Sequence, residues 1–347
     1  MSSSLILQEN VRLAPYTTFQ IGGPARWFAE ARSEKDIVAA VRFADDRAMP
    51  LFVLGGGSNL LVADAGFDGL VLHIALRGTS EEVGVCNVAA GENWDELVTF
   101  AVERSLGGIE CLAGIPGTVG GTPVQNVGAY GQEVSQTIRQ VRVYDRTSGD
   151  FHELSGADCK FGYRTSIFNS SAPGRYIVTA VTYALHPFAE PQLGYADLKS
   201  YFRDADRRPS LLEVADAVRE VRRRKGMLLT EGDPDCRSAG SFFKNPVVAV
   251  TRVEAIAVAL GIDESQVPRY PAAYGNVKLP AAWLLEQAGF HKGFSLGAAG
   301  ISTRHTLALT NRGGAKAADI LALRDQIVEG VNGRFGIRLE PEPVVLA

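Results

Sequence analysis

At 347 residues the chain is too long for one ordinary core, and 46% apolar against 21% charged residues excludes disorder as a major feature. Its 35 basic and 39 acidic residues give a net charge of −4 with no charged block at either end, which argues against a nucleic-acid or membrane-surface protein. Residues 1–13 lack the basic start and apolar stretch of a signal peptide, and no apolar run approaches the ~18 residues of a membrane span, so a soluble cytoplasmic protein is expected.

Trp27–Ala31 reads as a short strand, and Ser33 with Asp36 as a capping box before the helical positions Ile37, Val38, Val41 and Phe43. Pro50 ends that helix and Leu51–Leu54 is a buried strand, so the three make a parallel βαβ unit. Val83–Ala90 is strand-like, and Asn93 caps a helix running to about Ser105. Val141–Tyr144 and Phe151–Leu154 flank the turn residues Thr147-Ser148-Gly149-Asp150, a hairpin, and Tyr176–Leu185 is a further strand. Ser210 with Glu213 starts a helix with Leu211, Leu212, Ala215, Val218 and Val221 on one side, closed by Gly226. Beyond it Gly240–Lys244 and Thr306–Thr310 are strand-like, while Val253–Leu260, Pro280–Ala288 and Ala315–Val331 are helical. Ile337–Val345 is extended, with Pro341 and Pro343 placing it at an edge. The pattern is that of an α+β protein with a breakpoint near residue 226.

Two glycine-rich stretches stand out. Leu54-Gly55-Gly56-Gly57-Ser58-Asn59 follows a strand, the end of parallel sheets that ligands favour. It matches neither a dinucleotide fingerprint nor a P-loop, and alone it is either an ordinary turn or a phosphate cradle. The second, Gly114-Ile115-Pro116-Gly117-Thr118-Val119-Gly120-Gly121, is long and still apolar, and the pair favours a large phosphorylated cofactor. Cys86, Cys111, Cys159 and Cys236 form no C-x-x-C pair and read as free thiols, and the five histidines show no metal-ligand spacing, so no metal is expected.

With Tyr16-Thr17-Thr18-Phe19-Gln20-Ile21-Gly22-Gly23, these loops resemble the FAD-binding fold shared with para-cresol methylhydroxylase and vanillyl-alcohol oxidase. The continuation Gln125-Asn126-Val127-Gly128-Ala129-Tyr130-Gly131 resembles the UDP-N-acetylenolpyruvoylglucosamine reductase family in particular. That resemblance implies FAD held by Leu54, Gly55, Gly56, Gly57, Ser58, Asn59, Gly114, Ile115, Pro116, Gly117, Val119, Gly120, Gln125, Asn126, Gly128 and Ala129. Several oxidases of this fold attach FAD to a histidine beside the first loop; Ser58 and Asn59 stand there, which implies non-covalent FAD.

Composition alone makes Arg164 an exposed strand arginine, Ser241 a turn residue, and Glu340 and Glu342 part of a solvated edge with Arg338. The resemblance assigns them chemistry. Tyr163-Arg164-Thr165-Ser166-Ile167-Phe168 matches the family's arginine motif, so Arg164 is implied to bind a carboxylate or developing enolate. Gly240-Ser241-Phe242-Phe243-Lys244-Asn245-Pro246 matches the stretch that implies Ser241 as proton donor. Leu339-Glu340-Pro341-Glu342 matches the family's terminal motif and implies Glu342 as the catalytic glutamate, although Pro343 departs from the longer strand common there. Substrate contacts are implied at Tyr195, in a loop of the tyrosine-bearing type, and at Lys225, Asn245 and Lys278.

The resemblance implies three parts: 1–76 with 328–347, and 77–225, as two α+β subdomains holding FAD, and 226–327 as a smaller α+β substrate domain. It implies NADPH as hydride donor and reduction of the enolpyruvyl group of a UDP-sugar in peptidoglycan precursor synthesis; a monomer is expected. The alternatives are a flavin oxidase of the same fold acting on an alcohol or hydroxy acid, and a non-catalytic nucleotide-sugar sensor.

Overall fold

The capping box at Ser33 closes in both directions. The Ser33 hydroxyl accepts from the Asp36 N–H at 3.3 Å, and the Asp36 carboxylate accepts from the Ser33 N–H at 2.8 Å. It starts α1 (Glu34–Asp45) in a computed structural model that describes residues 5–347. Residues 1–4, the beginning of the segment read as lacking a signal peptide, lie outside the described residues. Packing divides the chain into two units. The first holds the described residues up to Arg12, Pro24–Gly57 and Phe67–Arg224; the second holds Leu13–Gly23, Ser58–Gly66 and Lys225–Ala347.

In the first unit, β1 (Leu7–Arg12) lies antiparallel to β2 (Pro24–Ala31). The strands β2 and β3 (Leu51–Leu54) run parallel as expected, but they do not touch. The next strand, β4 (Leu60–Val62), belongs to the second unit; β5 (Phe67–Ile74), in the first, lies between β2 and β3, parallel to both. The sequence reading missed β5 for a physical reason. Gly69, Leu70, Val71 and Leu72 are all buried, so a strand covered on both faces has no period-2 alternation to reveal it.

The second sheet of this unit is antiparallel throughout. Its order is Asp150–Ser155, Ile138–Asp145, Tyr176–Ala184, β7 (Val85–Ala89), with β6 (Thr79–Glu82) at the far edge. The expected hairpin is its first pair. Helix α2 (Trp94–Glu103) is capped by Asn93, whose side chain accepts from Asp95 and Glu96 N–H. After the short α3 (Ala196–Tyr201) comes α4 (Leu211–Arg224), and Ser210 and Glu213 form the expected start of α4. Gly226 takes the left-handed φ of +66° that a helix-ending C′ residue needs. One apolar cluster, including Leu72, Val88, Trp94, Val141, Tyr183 and Val218, fills this unit.

The second unit has its own core, including Phe19, Phe242, Leu284, Ile301, Ile320 and Leu339. Its helices α5 (Arg252–Leu260), α6 (Ala281–Gln287) and α7 (Ala317–Phe335) fall where expected, the last starting two residues later and ending four later. Two strand expectations need correction. Gly240–Lys244 joins no regular ladder: Phe242 donates to Leu307 but accepts from Glu342, and Phe243 makes one isolated bridge to Pro341. The Lys244 N–H adds a bond to the Glu340 carbonyl on the other side of that bridge, and with the Phe242 N–H given to Leu307 the pairing goes no further. Thr306–Thr310 forms a strand only at Leu309–Asn311, because His305 and Ala308 first close a turn. The terminal strand Val344–Leu346 pairs parallel with β4.

Candidate active site

In the first unit the two glycine stretches meet. A Cβ on Gly56 would lie 2.6 Å from the Gly117 Cα, and one on Gly55 would lie 2.8 Å from Thr118 Oγ1. Only glycine permits this approach. The Thr118 hydroxyl is buried there without a hydrogen-bond partner among the described residues. A buried orphan hydroxyl is costly unless something else completes it, so this atom points to a bound group. Among the described residues, the N–H groups of Gly55, Gly56, Gly57, Ile115 and Gly117 donate to no loop or turn carbonyl. The loops that carry these donors approach each other at Gly56 and Gly117, and clustered backbone donors are what an anionic diphosphate requires.

Other residues assigned to the cofactor have backbone or side-chain groups engaged within the chain. The Gly114 N–H donates to Asp95 Oδ1 at 2.6 Å, and its carbonyl accepts from Arg222 Nε at 3.0 Å. Val119 and Gly120 N–H groups donate to the carbonyls of Glu92 and Ala90. Leu54 is buried in the core. Asn126 is buried with a left-handed φ of +48°, its side-chain amide donating to Glu133 and Gly162 and its oxygen accepting from Ser135. Gln125, Gly128 and Ala129 are half-buried on the same stretch.

Arg164 is not a strand residue. It occupies a tight turn closed by a Gly162–Thr165 bridge, with φ of +55°, a conformation strained for a residue with a Cβ. Its guanidinium donates to the Gly128 carbonyl at 2.7 Å and more weakly to Asn126. The arginine is thus aimed along the segment assigned to the flavin. Tyr195 sits at the start of α3, half-exposed, with its ring edge-on to Tyr130 at 5.3 Å. The loop before it is anchored at Gln192, whose N–H donates to the buried Glu110 and whose carbonyl accepts from the Cys111 thiol.

Arg222 is given no role by the sequence analysis, which takes only Lys225 from the run Arg222-Arg223-Arg224-Lys225. It is buried, hydrogen-bonds Tyr130 as well as Gly114, and burial lowers its pKa. The available signal was spacing: Arg222 follows Leu211, Ala215 and Val218 by eleven, seven and four residues, on the apolar face of α4.

In the second unit the structure brings Ser241 and Glu342 onto neighbouring segments. The Glu342 N–H donates to the Phe242 carbonyl at 2.9 Å, and Gly240, at φ +72°, sets the turn before Ser241. Glu340 is an exposed partner of Lys244, whereas Glu342 is half-buried. Asn59 donates from its side chain to the Glu342 carbonyl at 3.1 Å, and the Ser58 carbonyl accepts from Thr18. Asn245 and Lys278 also come together: Val247 pairs with Lys278, and Asn245 Oδ1 accepts the Ala281 N–H at the start of α6. Lys225 is half-buried at the first residue of that unit's last segment. Among the described residues no group of three His, Cys, Asp or Glu side chains could hold a metal ion, and no helix is long and apolar enough to cross a membrane. All four cysteines are buried and unpaired, with burial pushing the Cys86 thiol up to about 11.

A model described as an FAD binding domain matches residues 25–155, the stretch containing both glycine loops. The glycine cradle, its open backbone donors and the Thr118 hydroxyl fit that cofactor, and the protein is an FAD-dependent oxidoreductase. The C-terminal domain model of UDP-N-acetylenolpyruvoylglucosamine reductase matches residues 233–346. The chain is 48% identical to the Streptomyces coelicolor protein of that name, over 96% of this chain and 88% of that one. It is 47% identical to its Thermobifida fusca counterpart, over 97% of each. The solved reductase from Thermus caldophilus superposes with a TM-score of 0.69 at 27% identity, covering 99% of this chain and 100% of that one. The chain belongs to the UDP-N-acetylenolpyruvoylglucosamine reductase family.

Proposed function

We propose that this enzyme uses NADPH to reduce the enolpyruvyl group of UDP-N-acetylglucosamine enolpyruvate, making UDP-N-acetylmuramate for peptidoglycan in the cytoplasm. The observation that carries the reading is the cradle where Gly55 and Gly56 meet Gly117 and Thr118, within the segment that matches an FAD-binding model. FAD, held without a covalent bond, supplies the two-electron step that passes hydride from NADPH to the β-carbon of the double bond.

The chain's own residues handle charge, protons and position. Gly55–Gly57 with Ile115 and Gly117 hold the cofactor diphosphate through backbone N–H groups, and the Thr118 hydroxyl adds a donor. Arg164, oriented by Gly128, binds the substrate carboxylate and offsets charge that builds as the enolic form develops. Glu342 orders that form, and Ser241 delivers the proton to the α-carbon. Lys225, Asn245 and Lys278 meet the UDP-sugar diphosphate, and Tyr195 closes over it. The division into 1–76 with 328–347, 77–225 and 226–327 remains our assignment. Pairing of Val344–Leu346 with β4 favours grouping the tail with the residues after the first loop. We also assign a monomer.

The test is a visible spectrum of the purified protein. Flavin absorbance that bleaches with NADPH and returns on adding the UDP-enolpyruvyl sugar under anaerobic conditions supports the reading. A flavin that ignores NADPH and is reduced by an alcohol or hydroxy acid, with oxygen consumed, would replace it with the oxidase alternative.

A further inference from the structure

Glu342 lies between two prolines, Pro341 and Pro343. Proline lacks an N–H, so the peptide linking Glu342 to Pro343 offers one polar group, the Glu342 carbonyl. That carbonyl accepts from the side-chain amide of Asn59 at 3.1 Å. The Asn59 carbonyl in turn accepts from the Val344 N–H at 3.0 Å. One residue therefore grips the tail at 342 through its side chain and at 344 through its backbone. On the other side, the Glu342 N–H is held by the Phe242 carbonyl, next to Ser241.

We infer that Asn59 is a positioning residue for Glu342: its amide sets the peptide plane after the glutamate, and with it the direction of the Glu342 Cα–Cβ bond. The inference rests on the catalytic reading of Glu342 given above. It changes the role of the Asn59 side chain, which the family resemblance placed on the cofactor. The chemistry is specific to a donor at this position. An aspartate of the same shape presents only acceptors to the carbonyl, and alanine presents nothing. Neither change removes the backbone bond from Asn59 to Val344 or the pairing of Val344–Leu346 with β4, so the tail stays attached and the fold survives.

Stopped-flow absorbance on FAD-loaded protein tests this, with Asn59→Ala, Asn59→Asp, Glu342→Gln and the double variant Asn59→Ala/Glu342→Gln. Flavin content and thermal midpoint are measured on each. Misplacement of a catalytic group by about 1 Å costs on the order of 10²-fold. Asn59→Ala and Asn59→Asp are expected to slow reoxidation by the UDP-enolpyruvyl sugar by roughly 10- to 100-fold. Reduction by NADPH and bound FAD should stay within about twofold of the parent, a split that general loss of structure would not produce. In the Glu342→Gln background, Asn59→Ala should add less than about twofold, because the two changes act through one group. Loss of FAD, equal slowing of both half-reactions, or a full additional penalty in the double variant would sink the proposal alone. Glu342→Gln reoxidising at the parent rate would sink the catalytic reading and the proposal with it.

Discussion

The Arg222 guanidinium donates from Nε to the main-chain carbonyl of Gly114 at 3.0 Å, and the same side chain hydrogen-bonds Tyr130. One buried cation on α4 thus braces the second glycine loop and the tyrosine that supports Tyr195. A hydrogen bond from a charged group contributes about 1.5–3 kcal/mol when its removal strands a buried partner. Arg222→Met should lower the thermal midpoint and weaken FAD retention, with Arg222→Lys intermediate because a point ammonium cannot serve two partners like a guanidinium. Thermal unfolding and FAD titration of the apoprotein check this; parent values for Arg222→Met would make the brace irrelevant.

Gly56→Ala tests the cradle directly. The added Cβ falls 2.6 Å from the Gly117 Cα, a backbone atom that cannot swing aside. The loops must separate, so the variant should purify folded but pale, with FAD affinity reduced at least about tenfold, on the scale of 1.4 kcal/mol. Acid denaturation of the parent should release all its flavin into solution. Flavin left on the precipitated parent polypeptide would overturn non-covalent attachment.

Ser241→Ala should divide the half-reactions. NADPH passes hydride to the flavin without a carbon-bound proton from the protein, so that step stays near the parent rate. Reoxidation needs the α-carbon protonated, and a placed acid contributes about 10²–10⁴-fold. Stopped-flow absorbance follows both steps. Ser238→Ala is the nearby comparison, though Ser238 is buried and its hydroxyl accepts from Gly240 N–H, so its own effect should appear in stability. Reoxidation of Ser241→Ala at the parent rate would reduce Ser241 to a turn residue.

Tyr195 is half-exposed and its loop is anchored behind it at Gln192, so the ring can move while the loop base stays fixed. Tyr195→Ala should weaken UDP-sugar binding with little change in flavin reduction by NADPH. Calorimetric titration showing parent affinity for the sugar would remove the closing role.

Acid should loosen the hairpin of the second sheet at a defined point. The Arg175 guanidinium, hydrogen-bonding the Asp145 carboxylate, holds its pKa at about 2, below the ordinary 3.8. Because the folded value is depressed, the stability it contributes is present above pH ~4 and is lost as pH falls from there through about 2. Asp145→Asn should flatten the stability profile in that window while lowering stability at neutral pH. Denaturant midpoints between pH 2 and 7 measure it; an unchanged slope would place the acid sensitivity elsewhere.

Much of the fold could be read locally. Capping boxes and helical spacing depend on residues within a turn of one another, which is why α1, α2, α4, α5 and α6 begin within a residue or so of where their caps and apolar spacing predict. Strands joined by distant partners were harder: β5 carries no alternation because both faces are buried, and Gly240–Lys244 looks like a strand but divides its bonds between two segments.

The candidate site followed the same line. By itself the sequence determined which residue types carry the chemistry, through motifs whose order along the chain is enough to recognise them: the two glycine loops, Arg164, Ser241 and Glu342. Only the tertiary structure decided how they are held. Arg222 bracing Gly114 and Asn59 gripping the Glu342 carbonyl join residues 108 and 283 positions apart, and the Thr118 hydroxyl lies against Gly55 of the other glycine loop. Hydrogen bonds and steric contacts act over about 3 Å in space, and no periodicity along one segment can report a partner that folding alone brings within that distance.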